Sequence, residues 1–415
     1  MLKHNRVLVN LSVLTIGVIM LLAAPSIAQD AAAKPMTQDE VNKQLLDRIS
    51  ELESEVKELK GKPSSAAAPA ASAPQPVAES APPEEDLHKL QTIGFGDVGY
   101  QASQKDDRTN SFVVGSFDLF MSSPLSEKIS AYSELVIVPN HLDNSVGLDL
   151  ERIMLQYNRN RYFNVGIGRY HTDLGYYNTA FHHAQFLQTT LDRPQMYAFD
   201  DQDGFMPLQS IGVSANGEIP SGKLGLHWIA QAGNGRDYRA GSEPAQNVRD
   251  INNDKAFNLA MFARPQQFPG LQTGISFYRD VITVETPPLI NQRILTAYAV
   301  YTNSKYEWLN EAALVSNAPV GERVFHTTGF YTQLSRLFSS KYRPYVRYSY
   351  LNSSLQDPLF AGEDGNALVS RQNDLSFGMR YDMNGYSAFK LQLDHYDERA
   401  LGDWNRIAAQ FAFTF

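Results

Sequence analysis

RIAAQFAFTF, residues 406–415, is the stretch that decides the fold. Ile407, Ala409, Phe411, Phe413 and Phe415 fall on one parity, and Ala408, Gln410, Ala412 and Thr414 on the other. A period of two marks an extended strand, whose successive side chains point to opposite faces. Five apolar side chains on one face need an apolar neighbour. In a soluble sandwich they would lie exposed, because no second sheet is implied to cover them. As the last strand of a closed barrel they would face acyl chains.

The opposite end reads MLKHNRVLVNLSVLTIGVIMLLAAPSIAQD. Lys3, His4 and Arg6 precede an apolar run from Val7 to Ala24, and Ser26-Ile27-Ala28 supplies small residues for cleavage. This predicts a secretory signal over residues 1–28. An uncleaved membrane helix fits less well, since no basic stop-transfer flank follows the run.

Composition agrees with an exported barrel. The 415 residues contain no cysteine, which excludes a disulfide framework and a thiolate metal site. After the leader no run is long and apolar enough for a membrane helix. Yet there are 22 Phe and 21 Tyr. Membrane barrels combine these features, because only alternate residues meet lipid and aromatic girdles sit at both interfaces. The net charge is −9, and loss of Lys3 and Arg6 with the leader deepens it to −11. An acidic chain argues against nucleic acid as a partner.

Residues 36–61 predict a coiled-coil stalk. Leu45, Ile49, Leu52, Val56 and Leu59 are spaced four, three, four, three, a heptad seam among charged residues. At 1.5 Å per residue the rod from 38 to 61 is about 36 Å long. A helix this short and charged is marginal alone, so self-association is expected. Branched residues at a with Leu at d favour a parallel dimer. Val41 and Leu46 widen the apolar face and leave room for a trimer, so the heptads leave the number open. Residues 62–88, rich in Pro, Ala and Ser, predict an extended linker.

From residue 90 to 415, alternating segments of about ten residues are separated by connectors that are short and long in turn. SSPLSEK, NRNR, TNSK and SSK are short; PNHLDNSVG and NSSLQDPLFAGEDGNALVSRQ are long. The count gives an all-β, transmembrane antiparallel barrel of about 16 strands, preceded by the coiled-coil helix. An even number puts both chain ends on one side. Outward positions are read at Val113, Phe117, Leu119 and Met121; at Leu224, Leu226, Trp228 and Ala230; at Leu375, Phe377, Met379 and Tyr381; and at Phe389, Leu391 and Leu393. The intervening positions face the lumen. They give a basic sector, Arg343, Arg347, Arg380 and Lys390, and an acidic one, Asp118, Glu134, Glu307 and Glu311. Asp382 and Asp394 stand among the basic residues and neutralise part of them. At 16 strands the lumen is an aqueous channel, and its charges tune which ions pass.

The stretch GRYHTDLGYYNTAFHHAQFLQTT, residues 168–190, falls in the third long connector. His171, Asp173, Tyr176, Tyr177, His182 and His183 are its candidate functional residues. The favoured reading is a loop folded into the pore, with rings against the wall and polar groups toward water. A metal site from His171, His182, His183 and Asp173 is disfavoured, because adjacent histidines seldom aim at one ion. An external binding loop is the third reading. No Ser–His spacing picks out a catalytic triad, and neither a cofactor nor a metal is expected.

The barrel as a whole resembles the bacterial outer-membrane porin superfamily, and its stalk–linker–barrel order resembles trimeric porins with an N-terminal coiled coil. GRYHTDLGYYNTAFHH is similar to a stretch of uncharacterised porin-like proteins of the phosphate-selective kind. Asp173, Tyr177 and Ala184 stand where those have Pro, Trp and Gly. No lysine-rich loop carries phosphate selectivity over. The aromatic Phe415 resembles the terminal signal read by the barrel-assembly machinery. These resemblances imply a bacterial outer membrane, surrounding lipid, a homotrimer, a periplasmic stalk and passive diffusion of small polar solutes. The alternative is a tether whose stalk contacts peptidoglycan and whose barrel is an anchor.

Overall fold

The structure, a computed structural model, describes residues 89–104, 110–139, 145–181, 185–198, 205–236, 249–250, 252–283, 289–354, 356–359, 371–399 and 402–415. The signal, the stalk seam from Leu45 to Leu59, the linker, and His182 and His183 lie outside these residues.

Sixteen antiparallel strands close on themselves. They are β1 (Gln91–Ser103), β2 (Ser111–Pro124), β3 (Ile129–Pro139), β4 (Val146–Asn160), β5 (Phe163–His171), β6 (Gln209–Ile219), β7 (Leu226–Asn234) and β8 (Lys255–Ala263). The circuit continues through β9 (Leu271–Thr283), β10 (Leu289–Thr302), β11 (Tyr306–Pro319), β12 (Phe325–Arg336), β13 (Tyr342–Asn352), β14 (Gln372–Asn384), β15 (Ser387–Glu398) and β16 (Gly402–Thr414). Each strand pairs with its sequence neighbours, and β1 pairs with β16. Closure leaves no unpaired edge, which lipid would not tolerate. The last residue completes the seam: Phe415 N donates to Gly94 O at 3.0 Å and Gly94 N to Phe415 O at 2.9 Å.

The period-two reading of the faces holds around most of the wall. Ile407, Phe411 and Phe413 on β16 are exposed, as are Phe377 and Met379 on β14 and Leu391 and Leu393 on β15. Near the short-turn end the outer face is aromatic. Tyr342 stacks on Tyr381 at 5.0 Å and Phe163 packs on Trp228 at 6.2 Å, with Tyr306 and Trp308 exposed nearby in the ladder. Such a belt suits a membrane interface.

Two outward readings are corrected. Val113 faces inward, because β2 carries a bulge. Gly96 pairs with Phe117 and Val98 with Val114, so Gly115 and Ser116 stand opposite Asp97 alone. Asp97 Oδ1 accepts from Ser116 N at 3.1 Å and Oδ2 from Gln410 Nε2 at 2.9 Å. A Cβ on residue 115 would collide with the Asp97 carboxylate, so glycine is required there. The extra residue flips the parity above it, and Phe112 and Val114 become the outward pair, 86% and 62% exposed. Leu224 is not on a strand; it ends a 3-10 turn, Gly222–Leu224.

A candidate constriction inside the barrel

The chain leaves β5 at His171 and returns at Gln209 in β6. Between them it travels along the inner wall as far as β16 and comes back. Two kinds of contact hold it there.

The first is apolar. Leu174, Tyr177, Met196, Tyr197, Phe205, Met206 and Leu208 of the loop pack with Tyr278, Ile282, Ile290, Ile294, Leu309, Val315, Tyr331 and Leu351 of the wall. Tyr177 stacks near-parallel on Tyr197 at 6.0 Å, and Tyr331 meets both edge-on. These inward positions on β9–β13 are therefore apolar, beside the charged lumen positions read from the sequence. They form a second hydrophobic core, inside the barrel.

A buried carboxylate sits at its centre. Glu311 Oε2 accepts from Tyr176 N at 2.5 Å and Tyr197 Oη at 2.8 Å. Glu311 Oε1 accepts from Tyr177 N at 2.9 Å and from Tyr331 Oη. The backbone donors belong to the start of a single helical turn, α1 (Tyr177–Ala180), whose first amides have no intrahelical partner. Gly175 makes the approach possible. Its φ is +77°, and a Cβ there would collide with Tyr197 Oη and the Glu311 carboxylate.

The second kind of contact is polar. Arg380 Nη1 donates to Phe186 O at 2.5 Å and Gln188 O at 2.8 Å. Lys390 Nζ donates to Gln185 O at 2.6 Å and Thr190 O at 2.9 Å. Arg347 Nη1 donates to Thr190 Oγ1 at 3.1 Å and Asp192 O at 2.5 Å. Arg406, which the sequence reading did not single out, joins Asp192 to Asp394. Arg380 also pairs with Asp382 at 2.7 Å. Arg347, Arg380 and Lys390 do point inward, but the loop covers them. They hold its main chain instead of meeting free solvent, because backbone carbonyls concentrated in an irregular segment need donors. Arg343 lies lower on the same sector, half-buried, and donates to Ser335 Oγ at 3.2 Å.

The acidic candidates divide likewise. Glu311 is consumed by the loop. Glu307, half-buried, accepts from Gln333 Nε2 at 2.8 Å. Across the lumen, Glu134 accepts from Arg152 Nη2 at 2.9 Å, and the Arg152 guanidinium lies 5.0 Å over the Phe120 ring. His171 Nε2 comes within 3.6 Å of Glu134 Oε2. Asp118 is buried beside them in the β2–β3 ladder.

At the loop's entry Asp173 is clamped by Gln231. Its N–H donates to Gln231 Oε1 and its Oδ2 accepts from Gln231 Nε2, both at 3.0 Å. Burial pushes its carboxyl up to about 7. Asp192, at the far end, goes the other way. Burial raises it, but the Arg406 guanidinium outweighs that and holds the carboxyl below its ordinary range. Burial likewise lowers Arg193 to about 10; it donates through Nε to Tyr197 O at 2.5 Å and crosses the Tyr177 ring at 5.6 Å. Among the described residues no three His, Asp or Glu side chains are grouped to hold a metal.

No protein-family model matches the sequence, and no curated protein does. Solved structures do match in fold. An anion-selective porin from Comamonas acidovorans superposes with a TM-score of 0.57 at 11% identity, over 79% of this chain and 99% of that one. The outer membrane channel DcaP of Acinetobacter baumannii gives 0.56 at 12%, over 80% and 99%. OmpT of Vibrio cholerae, folded in vitro and in its trimer form, gives 0.51 at 10%, over 80% and 100%. The architecture of this chain is that of the 16-stranded bacterial outer-membrane porins.

Proposed function

We propose that the protein is a porin of a bacterial outer membrane, through which small polar solutes or ions diffuse passively. The observation that carries this reading is the third loop, anchored inside a closed 16-stranded barrel along β7–β16. A loop so placed narrows a lumen of this size. The passage then runs between the loop and the facing wall of β2–β4, where Phe120 and Arg152 are partly exposed over the buried Asp118 and Glu134. Selectivity belongs to that wall and to Arg343 and Glu307 lower down, more than to the basic residues that clasp the loop.

The assembly is a homotrimer in this reading, held by the barrels and by the heptads of residues 38–61 in the periplasm, with contact to peptidoglycan as a further role of the stalk. OmpT's trimer form is consistent with it. The decisive experiment is single-channel recording of the mature protein in a planar bilayer under a salt gradient. Open steps in groups of three support the trimeric channel, and the reversal potential reports its ion preference. A folded but silent barrel would overturn the channel reading and leave the stalk as the working part.

A further inference from the structure

The outside of β8–β12 carries a row that conduction does not use. Strand register places Phe257, Arg279, Arg293, Ser316 and His326 directly opposite one another on successive strands. Arg279, Arg293 and His326 are exposed. His326 Nδ1 lies 3.0 Å from Ser316 Oγ, which holds the ring in the row. On the short-turn side of the row the same face is apolar: Leu259, Ile275, Phe277, Leu295, Leu314 and Phe330 are all exposed. The row therefore marks the upper edge of the lipid-facing band, on the side of the long connections.

Arg279 and Arg293 are a directly opposed pair, with Cβ atoms about 5 Å apart in such a ladder, and like charges so placed repel. Lys255, on the same face of β8, is neutralised by Asp250 at 2.6 Å. Among the described residues, no hydrogen bond, ion pair or ring contact does the same for the two arginines. A surface that sets two guanidinium groups side by side at the boundary between hydrocarbon and water is complementary to an anion fixed at that depth.

We propose that this row binds the phosphate of an anionic lipid headgroup in the outer leaflet. Guanidinium presents paired N–H donors that match phosphate oxygens and is weakly hydrated, so it binds well at such a boundary. His326 adds a ring N–H at the end of the row. The apolar side chains beneath receive the acyl chains, which selects a lipid over free phosphate. The inference rests on the membrane location proposed above, but not on conduction.

The test uses the full-length protein in neutral detergent, with lipid A as the phosphorylated probe. Dephosphorylated lipid A and inorganic phosphate serve as controls. Native mass spectrometry measures bound lipid, and thermal unfolding measures its effect. Lipid A should bind and raise the midpoint, and neither control should. R279Q/R293Q should bind at least tenfold more weakly. Without lipid the same variant should unfold at a higher temperature than the parent, because the repulsion is gone. R336Q, an exposed arginine on the outer face at the other end of β12, should behave as the parent. If R279Q/R293Q binds lipid A like the parent, or if dephosphorylated lipid or free phosphate binds equally, the proposal fails. Single-channel recording of the same variant keeps this separate from the porin reading: a conducting variant with normal lipid binding overturns the lipid site alone.

Discussion

The two halves of the third loop are held by opposite means. From Leu174 to Tyr177, and again around Tyr197 and Phe205, the loop is buried in an apolar core with one saturated carboxylate at its heart. From Gln185 to Asp192 it is held by cations that grip backbone carbonyls. Apolar burial contributes most of the stabilisation and is tolerant of small shifts. Hydrogen bonds to carbonyls contribute less but fix position, since their strength falls steeply with distance and angle. The first half keeps the loop inside the barrel; the second sets where its edge stands in the pore.

The strongest way to break this division is Glu311→Ala. It leaves three donors, from Tyr176, Tyr177 and Tyr331, without their acceptor, at a cost of about 1–3 kcal/mol for each that stays dry, while Tyr197 Oη keeps Leu174 O at 3.0 Å. The loop should leave the wall, conductance should at least double, and protease should cut between residues 174 and 198. Unchanged conductance would mean that the apolar surfaces suffice alone.

The paired change Arg380→Gln with Lys390→Met should come next, at about 2 kcal/mol, because the freed carbonyls can find water. Amide hydrogen exchange should rise across 185–192 while 174–177 stays protected. Equal loss in both segments would show that the halves open as one unit.

Acidity should separate them too. Asp173 is raised to about 7 when folded, against an ordinary 3.8, so the docked loop binds more protons than the released one between those values. Docking at the loop's entry should therefore strengthen by about tenfold or more as pH falls from 8 to 5, and Asp173→Asn should abolish that slope. Asp192 is held low by Arg406, so its half should be insensitive in this range and weaken only in stronger acid. A slope that survives Asp173→Asn would assign the proton elsewhere. The smallest effect is expected from Tyr177→Phe, which removes one hydroxyl donor to Gln188 Oε1 (2.9 Å) and should cost about 1 kcal/mol of docking. Hydrogen exchange at 188–191 would register it.

Strand number and most outward faces were legible because lipid imposes a strict alternation. Val113 was misread because a bulge is written in two strands at once: Gly115 and Ser116 announce nothing until Asp97 is seen opposite them. The inward basic residues were legible as inward but not as covered, since alternation gives direction and not what lies beyond. One sign was present. At the upper ends of β9–β11 both parities carry apolar residues, Ile294 beside Leu295 and Leu314 beside Val315. A wall apolar on both faces needs something greasy inside, and the tyrosine-rich loop is what supplies it.

Arg347, Arg380 and Lys390 mostly read carbonyl oxygens, which every residue possesses. The side chain of Leu187, which takes no part in that clasp, can therefore be exchanged with little effect on where the segment lies, whereas the buried Gln188, Thr189 and Thr190 cannot. Evolution, or an engineer, can repaint the rim of the opening at that position, because there the clasp recognises the thread and not the bead.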